Sequence, residues 1–149
     1  MGRIYASLIL ASLVVALRAE PAWQTNFDAA KEQAKKENKT LLLDFTGSDW
    51  CGYCIKLKSA VFDKPEFATY ADKNLVLVEL DFPTKKKLPS ELKKQNAKLK
   101  KQYDVNGFPT ILLLNAEGKE LGRVIGYEGD SPDAYIKQLE KIIAKQKSS

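Results

Sequence analysis

Short, almost wholly apolar runs alternate along the chain with longer stretches in which apolar residues recur every three or four positions. Thr40, Leu41, Leu42, Leu43, Asp44 and Phe45 form one run, bounded by Gly47 and Ser48. Leu75, Val76, Leu77, Val78, Glu79 and Leu80 form a second, and Thr110, Ile111, Leu112, Leu113 and Leu114 a third. Runs of this length between turn residues read as strands buried on both faces. Residues 120–125 follow the third run across a turn at Ala116, Glu117, Gly118 and Lys119, which predicts a hairpin.

Helical spacing fills the intervals. Asn26 can cap a helix over residues 27–38, with Ala30 and Ala34 on one face. Residues 55–62 suit a helix that Asp63, Lys64 and Pro65 end, and residues 66–71 add a turn or two. A Lys-rich helix covers residues 90–103. Ser131, Pro132 and Asp133 open the last helix with a cap, a proline at the first position and an acid in the first turn. Its apolar stripe is Tyr135, Leu139, Ile142 and Ile143. The predicted order is α-β-α-β-α-β-β-α. Strand–helix–strand units imply parallel pairing, with an antiparallel hairpin added at the end. The expected fold class is α/β, a central mixed four-stranded sheet flanked by helices with an extra helix at the N-terminus.

At 149 residues, 44% hydrophobic and 29% charged, the chain has the size and balance of one globular domain. Its start reads differently. Met1, Gly2 and Arg3 precede an apolar stretch over residues 4–17, which Arg18, Ala19, Glu20 and Pro21 break. That is the layout of a secretory signal peptide over residues 1–19, leaving residues 20–149 as the domain. Cleavage after Ala16 or after Ala19 fits the small residues there. The stretch is shorter than the ~18 apolar residues of a spanning helix, and an uncleaved anchor is the competing reading. The first cysteine is Cys51, which leaves no leader cysteine for a lipid anchor. Export, to a periplasm, is the expected location.

Removing the leader takes away Arg3 and Arg18 and lowers the net charge from +5 to +3, too little to argue for a nucleic-acid partner. Lys85, Lys86, Lys87, Lys93, Lys94, Lys98, Lys100 and Lys101 cluster, interleaved with Leu88, Leu92, Leu99 and Tyr103. This is the pattern of a solvated helix face, with a docking patch for an acidic partner as the alternative.

Two counts narrow the chemistry. The chain has no histidine and only two cysteines. Ser-His and Cys-His hydrolytic pairs and His-containing zinc sites are therefore excluded, and two thiols cannot complete a four-ligand zinc site. No metal is expected. Cys51-Gly52-Tyr53-Cys54 places both thiols three positions apart at a strand-to-helix junction. The first N–H groups of a helix are unpaired and carry partial positive charge, which stabilises a thiolate at Cys51. Cys54, one turn on, can attack a disulfide formed there. Cys51 is thus read as nucleophile and Cys54 as resolving thiol. A purely stabilising disulfide is the alternative, although so small a loop removes little chain entropy.

Leu43, Asp44 and Phe45, followed by Asp49-Trp50-Cys51-Gly52-Tyr53-Cys54, resemble the signature of the thioredoxin superfamily, in its exported bacterial thiol:disulfide interchange branch. Gly107-Phe108-Pro109-Thr110 resembles that family's cis-proline segment. The resemblance runs from about Trp23 to the last helix. It implies the thioredoxin fold and a thiol–disulfide oxidoreductase with no cofactor beyond the Cys51–Cys54 disulfide itself. It implies a cis Pro109 beside Cys51, and a substrate groove formed with Trp50, Gly52, Tyr53, Phe108 and Gly126. Core packing is the alternative for Trp50, and a strand-end turn for Gly126. Asp44 resembles the family's buried carboxylate, which takes the proton of the resolving cysteine. Here an extra residue separates it from the motif, and Glu79 stands where thioredoxins often carry lysine. A second acid raises a buried Asp pKa. A partly solvated strand position is the alternative for Asp44.

The Gly-Tyr pair between the cysteines is the dipeptide of bacterial periplasmic disulfide isomerases, whose dimerisation domain has no counterpart here. The expected partners are client proteins with disulfides or thiols and an upstream redox partner, with the protein a monomer. A non-catalytic binding module and an accessory reductase with one client are the rival readings.

Overall fold

The computed structural model of the chain describes residues 21–147. The expected leader lies outside the described residues. In order, the elements are β1 (Trp23–Gln24), α1 (Phe27–Glu37), β2 (Thr40–Thr46), α2 (Gly52–Leu57), a π-helical continuation (Lys58–Phe62), α3 (Pro65–Asn74), β3 (Leu75–Asp81), α4 (Ser90–Gln102), β4 (Thr110–Leu114), β5 (Glu120–Ile125) and α5 (Pro132–Lys147). Among the described residues no helix is long and apolar enough to cross a membrane.

The sheet order is β1-β3-β2-β4-β5. β2 runs parallel to β3, from Thr40 opposite Leu75 to Thr46 opposite Asp81. It runs antiparallel to β4, from Leu41 opposite Leu114 to Phe45 opposite Thr110. Five strands replace the expected four. The added one is the two-residue β1, parallel to β3 at Trp23 opposite Leu77. Two residues cannot show a period, and β1 is held from outside, by Trp23 packing on the Phe62 ring with centroids 5.1 Å apart.

Successive strand residues face opposite sides of a sheet, and β2 supplies both cores. Leu41, Leu43 and Phe45 pack with Phe27, Ala30 and Ala34 of α1 and Leu99 of α4. Leu42 faces the other way, onto Leu57, Val61, Phe62, Phe67, Tyr135 and Leu139 from α2, the π segment, α3 and α5. Asp44 shares the parity of Leu42. A carboxyl is thereby carried into the apolar layer under α2.

Asn26 caps α1 as expected, its Oδ1 accepting from the Ala29 N–H at 3.0 Å, and Asn38 closes the helix in the left-handed region at φ 53°. Two helices differ from expectation. The one predicted over residues 55–62 starts at Gly52 and widens at its end, where the Asp63 N–H reaches the Lys58 carbonyl oxygen five residues back at 2.9 Å. The turn or two predicted over residues 66–71 is the ten-residue α3, which buries only Phe67 and Ala71. So narrow a stripe leaves little periodic signal.

Candidate active site

The site forms where β2 runs out of the sheet. Past Thr46 the chain turns on Gly47, whose carbonyl oxygen accepts from the N–H groups of Trp50 (3.2 Å) and Cys51 (2.8 Å). Cys51 keeps an extended backbone, at φ −86° and ψ 103°, and is the N-cap of α2. Its Sγ accepts from the Cys54 N–H at 3.2 Å, so the sulfur occupies the place of a capping oxygen. Cys51 and Cys54 are joined in a disulfide, their Cα atoms 5.2 Å apart. Both are buried, at 6% and 4% exposure.

Large apolar side chains stand exposed before and within the Cys51–Cys54 motif and at the end of β5. Trp50 is 48% exposed, Tyr53 65% and Ile125 69%. The Trp50 indole Nε1 donates to the Phe82 carbonyl oxygen at 2.8 Å, and the ring meets the Phe108 ring edge-on at 5.9 Å. A Cβ on Gly47 would lie 2.7 Å from Trp50 Nε1 and Cζ2, so that glycine provides the space the indole fills. Trp50 therefore both packs and presents apolar surface. The Phe108–Pro109 peptide bond is cis, as the sequence resemblance implied. Pro109 is buried, and its carbonyl oxygen accepts from the Gly126 N–H at 2.9 Å. Gly126 has φ 78°, and the space where its Cβ would stand is open. It thus serves the strand-end turn and leaves room above the sheet edge. Gly52 and Tyr53 stand exposed on the first turn of α2.

Three acids act beneath this surface, each differently. Asp49 accepts from the N–H groups of Thr84 (2.9 Å), Lys85 (2.7 Å) and Lys86 (3.0 Å). The Thr84 bond leads the contacts that hold its carboxyl down at about 2. Asp81 is buried at the end of β3 but fully engaged. It accepts from Ser48 N–H and Oγ at 2.9 and 2.6 Å and pairs with Lys86 Nζ at 2.8 Å. Together they pin the turn of Ser48 and Asp49 that leads into the disulfide.

Asp44 is the exception. It is 7% exposed, and its Oδ1 has no hydrogen-bond partner. The partly solvated alternative therefore fails. Burial first, then the charges of Glu79 and Asp81, push its pKa up to about 8, against a weak pull from Lys58. Glu79 is raised too, by burial and Asp81.

Of the residues anticipated for the groove, Trp50 meets Phe108 through their rings and Pro109 meets Gly126 through a backbone bond. Sequence reasoning missed the anchoring roles of Ser48, Asp49, Asp81 and Phe82. Their partners lie 32 to 37 positions away, and a Gly-Ser-Asp turn looks the same whatever it binds.

A buried Cys-x-x-Cys disulfide at a strand-to-helix junction, on a mixed sheet whose β4 follows a cis proline, defines a thiol–disulfide exchange protein. The thioredoxin-like domain model matches residues 27–143, and this chain belongs to that family. It is 39% identical over 121 residues to the disulfide bond reductase DsbH of Chlamydia pneumoniae, spanning 81% of this chain and 72% of that protein. A solved DsbH oxidoreductase superposes with a TM-score of 0.80 at 34% identity, over 97% of this chain and 94% of that one. A thioredoxin of Thermus thermophilus shares the fold at 18% identity, with a TM-score of 0.63. The chain is a thiol–disulfide oxidoreductase of this bacterial thioredoxin-like type.

Proposed function

We propose that the protein is an exported reductase of protein disulfides, with Cys51 as nucleophile and Cys54 as resolving thiol. The observation that carries the assignment is the Cys54 N–H aimed at Cys51 Sγ at the start of α2. In the reduced protein the same N–H and the helix-start charge favour a Cys51 thiolate. That thiolate attacks a client disulfide, forming a Cys51–client bond while one client sulfur leaves as thiolate and takes a proton. Cys54, losing its proton to Asp44 in its carboxylate form, then attacks Cys51 Sγ. The Cys51–Cys54 bond forms, the second client thiolate leaves, and the client has gained two electrons. An upstream dithiol restores the pair by the reverse exchange. At that step Asp44, held neutral near pH 7 by its raised pKa, donates its proton to the departing Cys54 sulfur.

Trp50, Tyr53, Phe108 and the open space at Gly126 offer an extended client segment an apolar seat beside the sulfurs. Similarity to a disulfide bond reductase favours reduction over isomerisation. The basic start and short apolar stretch within residues 1–19 support export, and the protein acts as a monomer on client disulfides.

Two cysteine variants test the assignment. Cys51→Ser abolishes disulfide reduction driven by a small dithiol. Cys54→Ser accumulates mixed disulfides with clients, visible as a ladder on non-reducing gels that collapses with reductant. A ladder from Cys51→Ser but not from Cys54→Ser would reverse the roles. Intact-mass analysis of envelope protein tests export: an N-terminus between Leu17 and Glu20 is expected, and retained Met1 would overturn cleavage.

A further inference from the structure

Among the described residues, two fully buried side-chain oxygens lack a hydrogen-bond partner: Asp44 Oδ1 and the Tyr135 hydroxyl. Polar atoms withdrawn from water are almost always paired, because each orphan keeps its desolvation cost with no compensating bond. Here both orphans belong to one layer of the molecule. Asp44 follows Leu42 onto the face of β2 covered by α2, the π segment and α5, and Tyr135 of α5 is wholly buried in that layer. The Tyr135 ring is wedged edge-on against Phe62 at 6.0 Å and Tyr127 at 6.3 Å, and none of the residue is exposed. Of the charges acting on that phenol, Asp44 acts most strongly, ahead of Asp130 and Tyr127.

We propose that the Tyr135 hydroxyl is joined to the Asp44 carboxyl through one buried water, and through it positions the proton that Asp44 exchanges with Cys54. The assignment rests on the proton role given to Asp44 above and names a residue that role had lacked. Around Asp44, β3 contributes the acids Glu79 and Asp81, the π segment contributes Lys58, and Ile111, opposite on β4, is apolar. Lys86 is engaged with Asp81. Tyr135 is therefore the neutral donor available to this carboxyl from the α5 side. Through that water a phenol O–H can donate to the carboxylate and, when the carboxyl is protonated, accept from it. It thus serves both protonation states, which a lysine cannot. Donation to the ionised form stabilises it, so the hydroxyl opposes the upward push of burial and of Glu79.

The test is the titration of the Asp44 carboxyl carbon, followed by NMR in the oxidised protein labelled at aspartate and assigned with Asp44→Asn. In Tyr135→Phe, which keeps the ring and its packing, Asp44 titrates about one pH unit higher. The midpoint of the pH–rate profile for reduction of the Cys51–Cys54 disulfide by a small dithiol moves the same way. An Asp44 titration unmoved in Tyr135→Phe overturns the pairing. The rate profile of Asp44→Asn reports separately on the proton role. Should it keep the parent inflection, that role fails and the positioning role falls with it, while the carboxyl titration still decides the pairing.

Discussion

The indole Nε1 of Trp50 donates to the Phe82 carbonyl oxygen at 2.8 Å, joining the residue before the redox pair to the chain just beyond β3. Phe82 in turn stacks near Phe45 at 6.4 Å and against Phe108 at 5.1 Å. Phe45 is wholly buried, so an aromatic column runs from the core to the half-exposed Trp50 ring. Such contacts each add to plain area burial, and together they hold a surface indole in one orientation. The exposed indole before the disulfide is an extension of the core.

Gly47→Val should dislodge that indole, because any Cβ there would crowd Nε1 and Cζ2 at 2.7 Å. Overpacking of this kind costs about 1–3 kcal/mol. The expected outcome is a lower Tm, with the Trp50 indole N–H losing protection from exchange. An indole signal unchanged from the parent protein would contradict the close approach.

Asp49→Ala should release the segment 84–86 without disturbing the sheet. The amides of Thr84, Lys85 and Lys86 are expected to exchange faster with solvent, while those of β3 stay protected. The Asp49 carboxyl is depressed to about 2, so its contribution is complete above the ordinary carboxylate pKa and fades only as pH falls from about 4 through 2. Equal exchange rates in parent and variant at neutral pH would refute the anchoring.

Asp44→Asn should stabilise the protein at neutral and alkaline pH. The native carboxyl titrates near 8 against about 3.9 when unfolded, so the folded state binds the extra proton between those values. Stability from this group is complete below pH 4 and declines as pH rises to 8, by on the order of a few kcal/mol. The variant flattens that decline. Denaturant unfolding at pH 4, 6 and 8 reads it directly, and parallel pH slopes in the two proteins would be incompatible with a buried, raised carboxyl.

Glu79→Gln should bring the Asp44 titration down from about 8. After burial, the charge of Glu79 is the largest influence raising it, and the two residues are register partners on β2 and β3. Carboxyl-carbon NMR of the labelled variant measures the movement. A titration that stays at the parent value would leave burial and Asp81 as the causes.

Much of this protein was legible in the chain itself. Apolar runs long enough to be strands, the caps Asn26 and Ser131, and the turn at Gly118 each act within a few residues, so local pattern reports them. The Cys51–Cys54 pair is local as well: its spacing equals one helical turn, and the strand before it sets where that turn begins. Elsewhere the deciding partner lies far along the sequence. β1 exists because Trp23 finds Phe62 and Leu77. Asp49, Asp81 and Asp44 are three similar side chains within one short stretch of space, yet backbone amides hold one, a serine and a lysine satisfy another, and the third is sealed under α2. Composition cannot separate them, because a carboxyl's pKa and partners are set by what packs over it. Only the closing of α5 and the π segment onto the sheet leaves Asp44 and Tyr135 buried with unpaired oxygens.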